Sequence, residues 1–191
     1  MPTYTSQELI TTLQEQTEEI LQTAIREWQM LSHEEFSRQP APGKWSANEC
    51  LQHLNSYGDY YLPAIEKAMG LSAAKPSATF KTGRLGNYFT RLMEPGENGP
   101  SKKMKSPANH SPKTIKSSVE VISTFIDQQE KTLQLLELAR KKDLNKIQIP
   151  ISIAKFIRLK LGDVFMFVIA HNRRHVLQAE RAVGDRKTVG S

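Results

Sequence analysis

The feature that most constrains the fold is a set of four long stretches in which apolar residues recur at helical spacing. Each stretch has a single apolar stripe, so each helix has one face to bury against its neighbours. A chain of 191 residues is long enough for one common core. The sequence therefore predicts an all-α protein, a four-helix bundle that forms a single domain over residues 1–191. The four stretches cover about residues 6–31, 46–69, 112–141 and 159–183, with a short extended piece at about 147–153 before the last one.

Capping residues indicate where these helices begin and end. Ser46 and Glu49 have the spacing of a capping box, so the second helix is expected to start there. It is expected to bend at Pro63 and to end at Gly70. Pro112 is suited to a first helical turn and is taken as the start of the third helix. The apolar stripe of that helix is predicted to run through Val119, Ile122, Ile126, Leu133 and Leu136.

The positive charge of the chain, formally +6, lies in one segment. Residues 71–113 contain eight Lys or Arg and two Asp or Glu, whereas the rest of the chain carries eighteen of each sign. The same segment is rich in Pro, Ser and Gly, which is typical of a loop rather than of packed core. We therefore predict a long basic connection that crosses over between helices two and three.

Two histidines of the last stretch, His171 and His175, are four residues apart and lie on the same side as Val164 and Val168. Residues at this spacing share one face of a helix, so two imidazoles can point at one metal ion. His53 has a similar core-facing position in helix two. Three imidazoles would leave a fourth position for water or substrate, as in catalytic rather than structural zinc sites. The three histidines are therefore the candidate metal ligands, although ordinary core histidines remain an alternative.

Glu49 and Tyr57 are the candidate catalytic residues, because each lies one helical turn from His53. Either side chain would orient a ligand or assist proton transfer. The helix cap also explains Glu49, and core packing also explains Tyr57. Cys50 is expected to be a small buried residue. It is the only cysteine, so the chain forms no intrachain disulfide and no thiolate-rich zinc site.

Four further charged or titratable residues are expected to face solvent. His33 falls at a helix end and His110 falls in the basic connection. Arg173 and Arg174 lie beside the ligand face of the last helix and are expected to be solvated. Contact of one of these arginines with an anionic thiol or carboxylate substrate is the alternative.

Two runs of the sequence resemble the DinB/YfiT-like superfamily. Residues 45–54, WSANECLQHL, resemble the W-S-x-x-E-x-L-x-H-L opening of helix two in that superfamily. Residues 171–178, HNRRHVLQ, resemble its H-x-x-x-H-x-x-Q motif in helix four. The order and separation of the two runs also agree with the family, whose four-helix layout covers most of the chain.

The resemblance implies that His53, His171 and His175 bind one divalent metal, commonly zinc or nickel, at one end of the bundle. Relatives in the family include S-transferases and isomerases that use low-molecular-weight thiols, and proteins described as metal-dependent hydrolases. Family members often form homodimers. The resemblance therefore implies a metal-dependent small-molecule thiol S-transferase or hydrolase. The long basic connection departs from the compact members of the family, which affects the expected substrate and dimer contact.

Two non-catalytic functions remain as alternatives. One is nucleic-acid binding through the basic connection, which has Lys102, Lys103, Lys105 and Lys113 for phosphates and Phe80, Tyr88 and Phe89 for base stacking. The aromatic residues are not interleaved with the lysine cluster, so a solvated loop is the simpler interpretation and nucleic acid is not the favoured partner. The other is an interaction protein that keeps the fold, and even a stabilising metal, without catalysis.

The sequence has no uninterrupted apolar run approaching the roughly 20 residues that a membrane-spanning helix needs. Its first residues lack the basic start and apolar stretch of a secretory signal. We therefore expect a cytoplasmic protein with no membrane partner. Its expected partners are a small-molecule substrate and a second copy of the same chain.

Overall fold

Most of the chain is helical. A computed structural model describes residues 1–96, 99–100 and 106–184. The α-helices in these ranges are α1 (Ser6–Thr23), α2 (His33–Ser37), α3 (Ala47–Leu71), α4 (Arg84–Met93), α5 (Ser118–Ala139) and α6 (Leu161–Gly184). A π-helical turn at Ala24–Trp28 extends α1, and a 3-10 turn at Ala108–His110 precedes α5.

Short antiparallel strand pairs join the helices. The strands in the described ranges are β1 (Thr3–Thr5), β2 (Thr79–Lys81), β3 (Pro95–Gly96), β4 (Gly99–Pro100), β5 (Gln148–Ile151) and β6 (Ala154–Lys160). β1 pairs with β2, placing Tyr4 opposite Phe80, and β3 pairs with β4. β5 and β6 form a hairpin directly before α6, with Ile149 opposite Leu159. The first pair therefore ties the N-terminal residues to the segment after α3.

The core lies between the four long helices. α3 packs against both α5 and α6, and α1 contacts the same two helices. The aromatic ring of Trp28, at the end of the π-helical turn, lies 5.8 Å from the ring of Phe36 and 6.3 Å from that of Phe125. All three side chains are buried, so α2 closes one end of the α1 and α5 interface. This packing agrees with the predicted all-α class in that most of the chain is helical, although buried residues of the short strands also belong to the core.

The start of helix α3 was predicted from its capping box, and both hydrogen bonds of that box are present. The Ser46 hydroxyl accepts from the Glu49 amide at 3.2 Å, and Glu49 Oε2 accepts from the Ser46 amide at 2.8 Å. The helix continues without a break through Pro63 and ends at Leu71, so Gly70 lies inside its last turn. The sequence thus located the first turn of α3 correctly and its end to within one residue.

The third long helix begins later than predicted. α5 starts at Ser118, and the residues from Pro112 up to this position are not helical. His33 Nδ1 accepts a hydrogen bond from the Ser118 amide at 3.3 Å and so caps the first turn. The prediction that Val119 belongs to the buried stripe is wrong. Its side chain is 79% exposed, since it lies in that first turn on the solvent side.

The prediction that residues 71–113 form a loop outside the core is also wrong, because this segment contains α4 and buried side chains. Phe80 is fully buried and packs against Gly162. A Cβ at that glycine would lie 2.6 Å from the Phe80 ring. α4 packs against α6. The first turn of α4 is fixed by Asp163, whose carboxylate accepts from the Gly83 amide at 3.0 Å.

The extended piece predicted at 147–153 is confirmed as the start of the β5–β6 hairpin. Residues 159 and 160, which the periodicity assigned to the last helix, belong instead to β6. The described part of α6 runs from Leu161 to Gly184. Within the described ranges, no helix is long and apolar enough to cross a membrane.

Candidate metal centre

Two neighbouring helices bring the three predicted histidines together. α3 contributes His53, and α6 contributes His171 and His175 one turn apart. Their ligand nitrogens all lie within 4.8 Å of one another, and His53 Nε2 is 3.1 Å from His171 Nε2. His53 is 2% exposed and His171 is 3% exposed, so the cluster lies inside the protein.

Hydrogen bonds fix the orientation and tautomer of two of the imidazoles. His53 Nδ1 lies 2.7 Å from the carbonyl oxygen of His110, which can only accept. Nδ1 therefore carries the proton and donates it, and Nε2 keeps its lone pair. His175 Nδ1 donates in the same way to Gln178 Oε1 at 3.0 Å. Metal-binding histidines are commonly held through their second ring nitrogen in this manner.

The spacing of the nitrogens suits a small cation. Tetrahedral zinc with bonds of about 2.0–2.1 Å places two nitrogen ligands about 3.4 Å apart, close to the separation of His53 and His171. Without a cation, His171 Nε2–H has to donate to His53 Nε2. Its Nδ1 is then an acceptor, and this buried atom has no hydrogen-bond partner among the described residues. The donor set therefore fits a divalent metal.

Burial keeps the imidazoles uncharged. It lowers the pKa of His53 to about 4 and the pKa of His175 to about 3, since an imidazolium would lose its hydration there. The pKa of His171 lies well below its ordinary value because of burial, and then because of positive charge on His175 and His53. At neutral pH the three side chains are therefore neutral, which is the form that binds metals.

Aromatic side chains surround the imidazoles. The ring of Trp45 lies 5.1 Å from that of His53 and 6.0 Å from that of His175. Tyr57 contacts His171 with ring centres 4.4 Å apart. The ring of Phe167 is stacked on His171 at 5.8 Å and 11°. These contacts restrict the imidazole rotamers and reduce access of water to the cluster.

A comparison with protein-family models assigns the chain to a family. The model of the DinB superfamily matches residues 9–179, a range that includes all three histidines. The chain belongs to the DinB superfamily. Comparisons with curated proteins and with solved structures gave no match. Membership of the DinB superfamily and the buried histidine cluster together support a divalent-metal site.

In this DinB superfamily member, the two candidate catalytic residues have different surroundings. The Glu49 carboxylate is engaged at the helix cap, where it accepts from the Ser46 amide at 2.8 Å and from Gln39 Nε2 at 3.2 Å. Tyr57 contacts two of the imidazoles, with its ring centre 5.0 Å from that of His53 and 4.4 Å from that of His171. Of the two, the geometry associates Tyr57 with the histidine cluster.

Cys50 is fully buried, as predicted, and it has no disulfide partner. Burial, together with the nearby charge of Glu49, raises the pKa of its thiol. The thiol is therefore held in its unreactive, protonated form.

The expectation for His33 is confirmed, whereas that for His110 is wrong. His33 is exposed and bonds to Ser118 Oγ at 2.9 Å. His110 is 5% exposed, because the 3-10 turn folds back onto α3. Its ring lies 4.0 Å from that of Tyr57, and its Nδ1 is 2.9 Å from Ser56 Oγ. Sequence reasoning missed this residue, since its contribution to the site is a backbone carbonyl.

The arginines beside the cluster are partly buried. Arg174 is not a freely solvated charge, because its Nη1 donates to the carbonyl of Leu92 at 2.9 Å, near the end of α4. Burial lowers the pKa of Arg174. The guanidinium therefore stabilises the carboxyl end of α4.

The basic connection offers fewer stacking residues than predicted. Phe80 is fully buried, and Phe89 packs against Phe167 with ring centres 6.1 Å apart. Tyr88 is 58% exposed and Lys113 is exposed. Lys102, Lys103 and Lys105 lie outside the described residues. Two of the three aromatic residues that would stack on bases are thus used in packing.

Proposed function

We propose that this DinB superfamily member is a metal-dependent enzyme, a thiol S-transferase or hydrolase that acts on a small molecule. His53, His171 and His175 hold one divalent ion, zinc or nickel. The observation that carries the proposal is the convergence of three imidazoles with lowered pKa values, of which His53 and His171 are buried and His175 is half-buried. His53 and His175 are oriented through Nδ1. In a cluster with a purely packing role the buried Nδ1 of His171 would also be paired, whereas it has no partner among the described residues.

A divalent metal at such a site supplies Lewis acidity, which lowers the pKa of water or of a thiol towards neutrality. The chain itself fixes the imidazoles through the His110 carbonyl and Gln178. Burial raises the pKa of Tyr57 to about 12, so its hydroxyl stays protonated at neutral pH. We assign to Tyr57 the orientation of the substrate through this hydroxyl. Glu49, whose carboxylate is engaged at the cap, is the second candidate for that role.

We also propose an architecture, an oligomeric state and a cellular location for the protein. The packing of α1, α3, α5 and α6 supports a four-helix bundle in one domain, with residues 71–113 as the crossover. We propose a cytoplasmic homodimer that uses a low-molecular-weight thiol as its second substrate. The homodimer and the thiol follow from what the family resemblance implies.

The test uses full-length protein reconstituted with zinc or with nickel. S-transfer is measured with 2-mercaptoethanol and 1-bromopropane through the release of bromide, and hydrolysis with methyl butyrate through the release of acid. We expect turnover above the uncatalysed rate that disappears in His171→Ala and after chelation. His33→Ala is the matched control and should keep the activity, because this histidine lies outside the cluster. Tyr57→Phe should lower kcat while the metal content stays unchanged.

Two results would contradict the proposal. Turnover that survives unchanged in His171→Ala would show that the chemistry occurs elsewhere. Absence of turnover in both assays, with protein that carries its metal, would contradict S-transfer and hydrolysis alike.

A further inference from the structure

A small cavity lies next to the histidine cluster. Its volume is about 30 Å³. Its aromatic walls are Tyr57, Tyr61, Phe89 and Phe167, from α3, α4 and α6. The remaining wall is contributed by the β5–β6 hairpin, the element that immediately precedes α6. The cavity thus lies where the hairpin meets the helices.

The cavity and the histidine cluster share two walls. Tyr57 lines the cavity and contacts His171 with ring centres 4.4 Å apart. Phe167 lines the cavity and stacks on the same imidazole at 5.8 Å. A molecule in the cavity therefore lies one aromatic ring away from a candidate metal ligand.

The lining selects for apolar groups. None of the described residues that line the cavity carries a charged side chain. Ile151 and Leu159 are buried side chains of the hairpin, one on each strand. The Tyr61 hydroxyl is already engaged, since it accepts from the Ser152 amide at 3.2 Å. Burying a charged group among these residues would be strongly unfavourable because the group loses its hydration, whereas an aliphatic group gains from leaving water.

The hairpin turn marks the entrance. Ile153 lines the cavity and is 57% exposed, whereas Tyr61, Ile151 and Leu159, which also line it, are buried. The cavity is therefore reached from solvent past the turn between β5 and β6.

The volume limits the size of the bound group. One water-sized probe occupies about 10–15 Å³, so the cavity has room for about two or three carbon atoms. An apolar cavity that binds benzene measures about 150 Å³, roughly five times as much. A short aliphatic chain fits this cavity, and an aromatic ring does not.

We propose that the cavity binds a short, uncharged aliphatic chain of the substrate, of about two or three carbon atoms, whose reacting end lies at the three histidines. The part of this inference that concerns the reacting end rests on the proposed function. The cavity itself is a property of Tyr57, Phe167 and the hairpin. The substrate class is thus a small aliphatic compound rather than an aromatic or anionic one.

The experiment measures the affinity of straight-chain hydroxamates, from acetohydroxamate to hexanohydroxamate, for zinc-loaded full-length protein by isothermal titration calorimetry. Affinity should rise about fourfold with each methylene that reaches the cavity, and it should level off after about three such methylenes. Benzohydroxamate should bind no more tightly than acetohydroxamate. Equal affinity for every chain length would overturn the proposal.

Two variants change the cavity in opposite directions. The levelling point is the chain length beyond which the hydroxamate affinity no longer rises. Leu159→Phe fills the cavity and should move the levelling point to shorter chains. Ile151→Ala enlarges it and should move that point to longer chains, so the test stands even if the first variant folds poorly. Leu138→Phe is the control, because it adds the same ring at an exposed position of α5. It should leave the dependence of hydroxamate affinity on chain length unchanged. A levelling point that stays fixed in Ile151→Ala would also overturn the proposal.

A metal-free arm separates this inference from the proposed function. Binding of 1-propanol to chelator-treated protein is followed by saturation-transfer NMR. The cavity would be supported if propanol binds the wild type and its saturation-transfer signal weakens in Leu159→Phe. If the hydroxamates do not bind at all in the same experiments, the metal site is contradicted. Hydroxamates that bind irrespective of chain length, without any propanol signal, would support the metal site and overturn the cavity.

Discussion

Acidification should destabilise the metal-free protein through its buried imidazoles. Burial lowers the pKa of His53 to about 4 and that of His175 to about 3. In the unfolded chain both have a pKa of about 6.5. Below pH 6.5 the unfolded state therefore binds more protons, and the free energy of unfolding falls until the pH reaches the folded-state values.

The magnitude follows from these pKa values. Between pH 7.5 and pH 5.0 each of the two imidazoles lowers the free energy of unfolding by about 2 kcal/mol, so the pair contributes about 4 kcal/mol. His171, whose pKa is also lowered by burial, acts in the same direction. Domains of this kind are stable by about 5–15 kcal/mol, so a large share of the stability should be lost.

The assay is urea unfolding of chelator-treated protein, followed by circular dichroism at pH 7.5, 6.5, 5.5 and 5.0. The matched control is the double variant His53→Gln/His175→Gln, whose amides do not titrate. The double variant should lose about 4 kcal/mol less than the wild type over this range. An equal loss in both proteins would refute the buried, neutral state of these histidines. A wild-type loss below about 1 kcal/mol would refute it as well.

Three further predictions concern single side chains. Ser46→Ala removes the cap of α3 and should lower the free energy of unfolding by about 1 kcal/mol in urea titrations; no change would contradict the capping role. Gly86→Ala brings a Cβ into a clash with the Asp163 side chain and should destabilise by about 1–3 kcal/mol. Gly70→Ala, where a Cβ meets no atom within 4 Å, is its control and should be neutral or stabilising; equal thermal shifts would contradict the close contact. Cys50 should react with Ellman's reagent only in unfolding urea concentrations, and rapid labelling of folded protein would contradict its burial.

Local signals predicted the parts of the structure that depend on short sequence separations. The capping box of Ser46 and Glu49 gave the start of α3, because both partners lie within one helical turn. The spacing of His171 and His175 placed two imidazoles on one helix face, where both join the histidine cluster. His53 was added because its position relative to the cap put it on the buried face of α3.

The features that the sequence did not reveal depend on distant contacts. His110 orients His53 through a backbone carbonyl across 57 positions, and no side-chain pattern reports such a bond. α4 was missed because its start is fixed by the Gly83 amide and the carboxylate of Asp163, which lie 80 positions apart. Val119 was misplaced because periodicity gives the phase of an apolar stripe but not the residue at which the helix begins.

The most direct test of the three-histidine site is metal content, measured by elemental mass spectrometry on tag-free protein. The variants are His53→Ala and His171→Ala, with His33→Ala as the control. We expect about one zinc or nickel ion per chain in the wild type and in the control, and none in the two cluster variants. Wild-type protein without metal after reconstitution with zinc, nickel or manganese would contradict the metal centre. An unchanged metal content in His53→Ala and His171→Ala would contradict it as well.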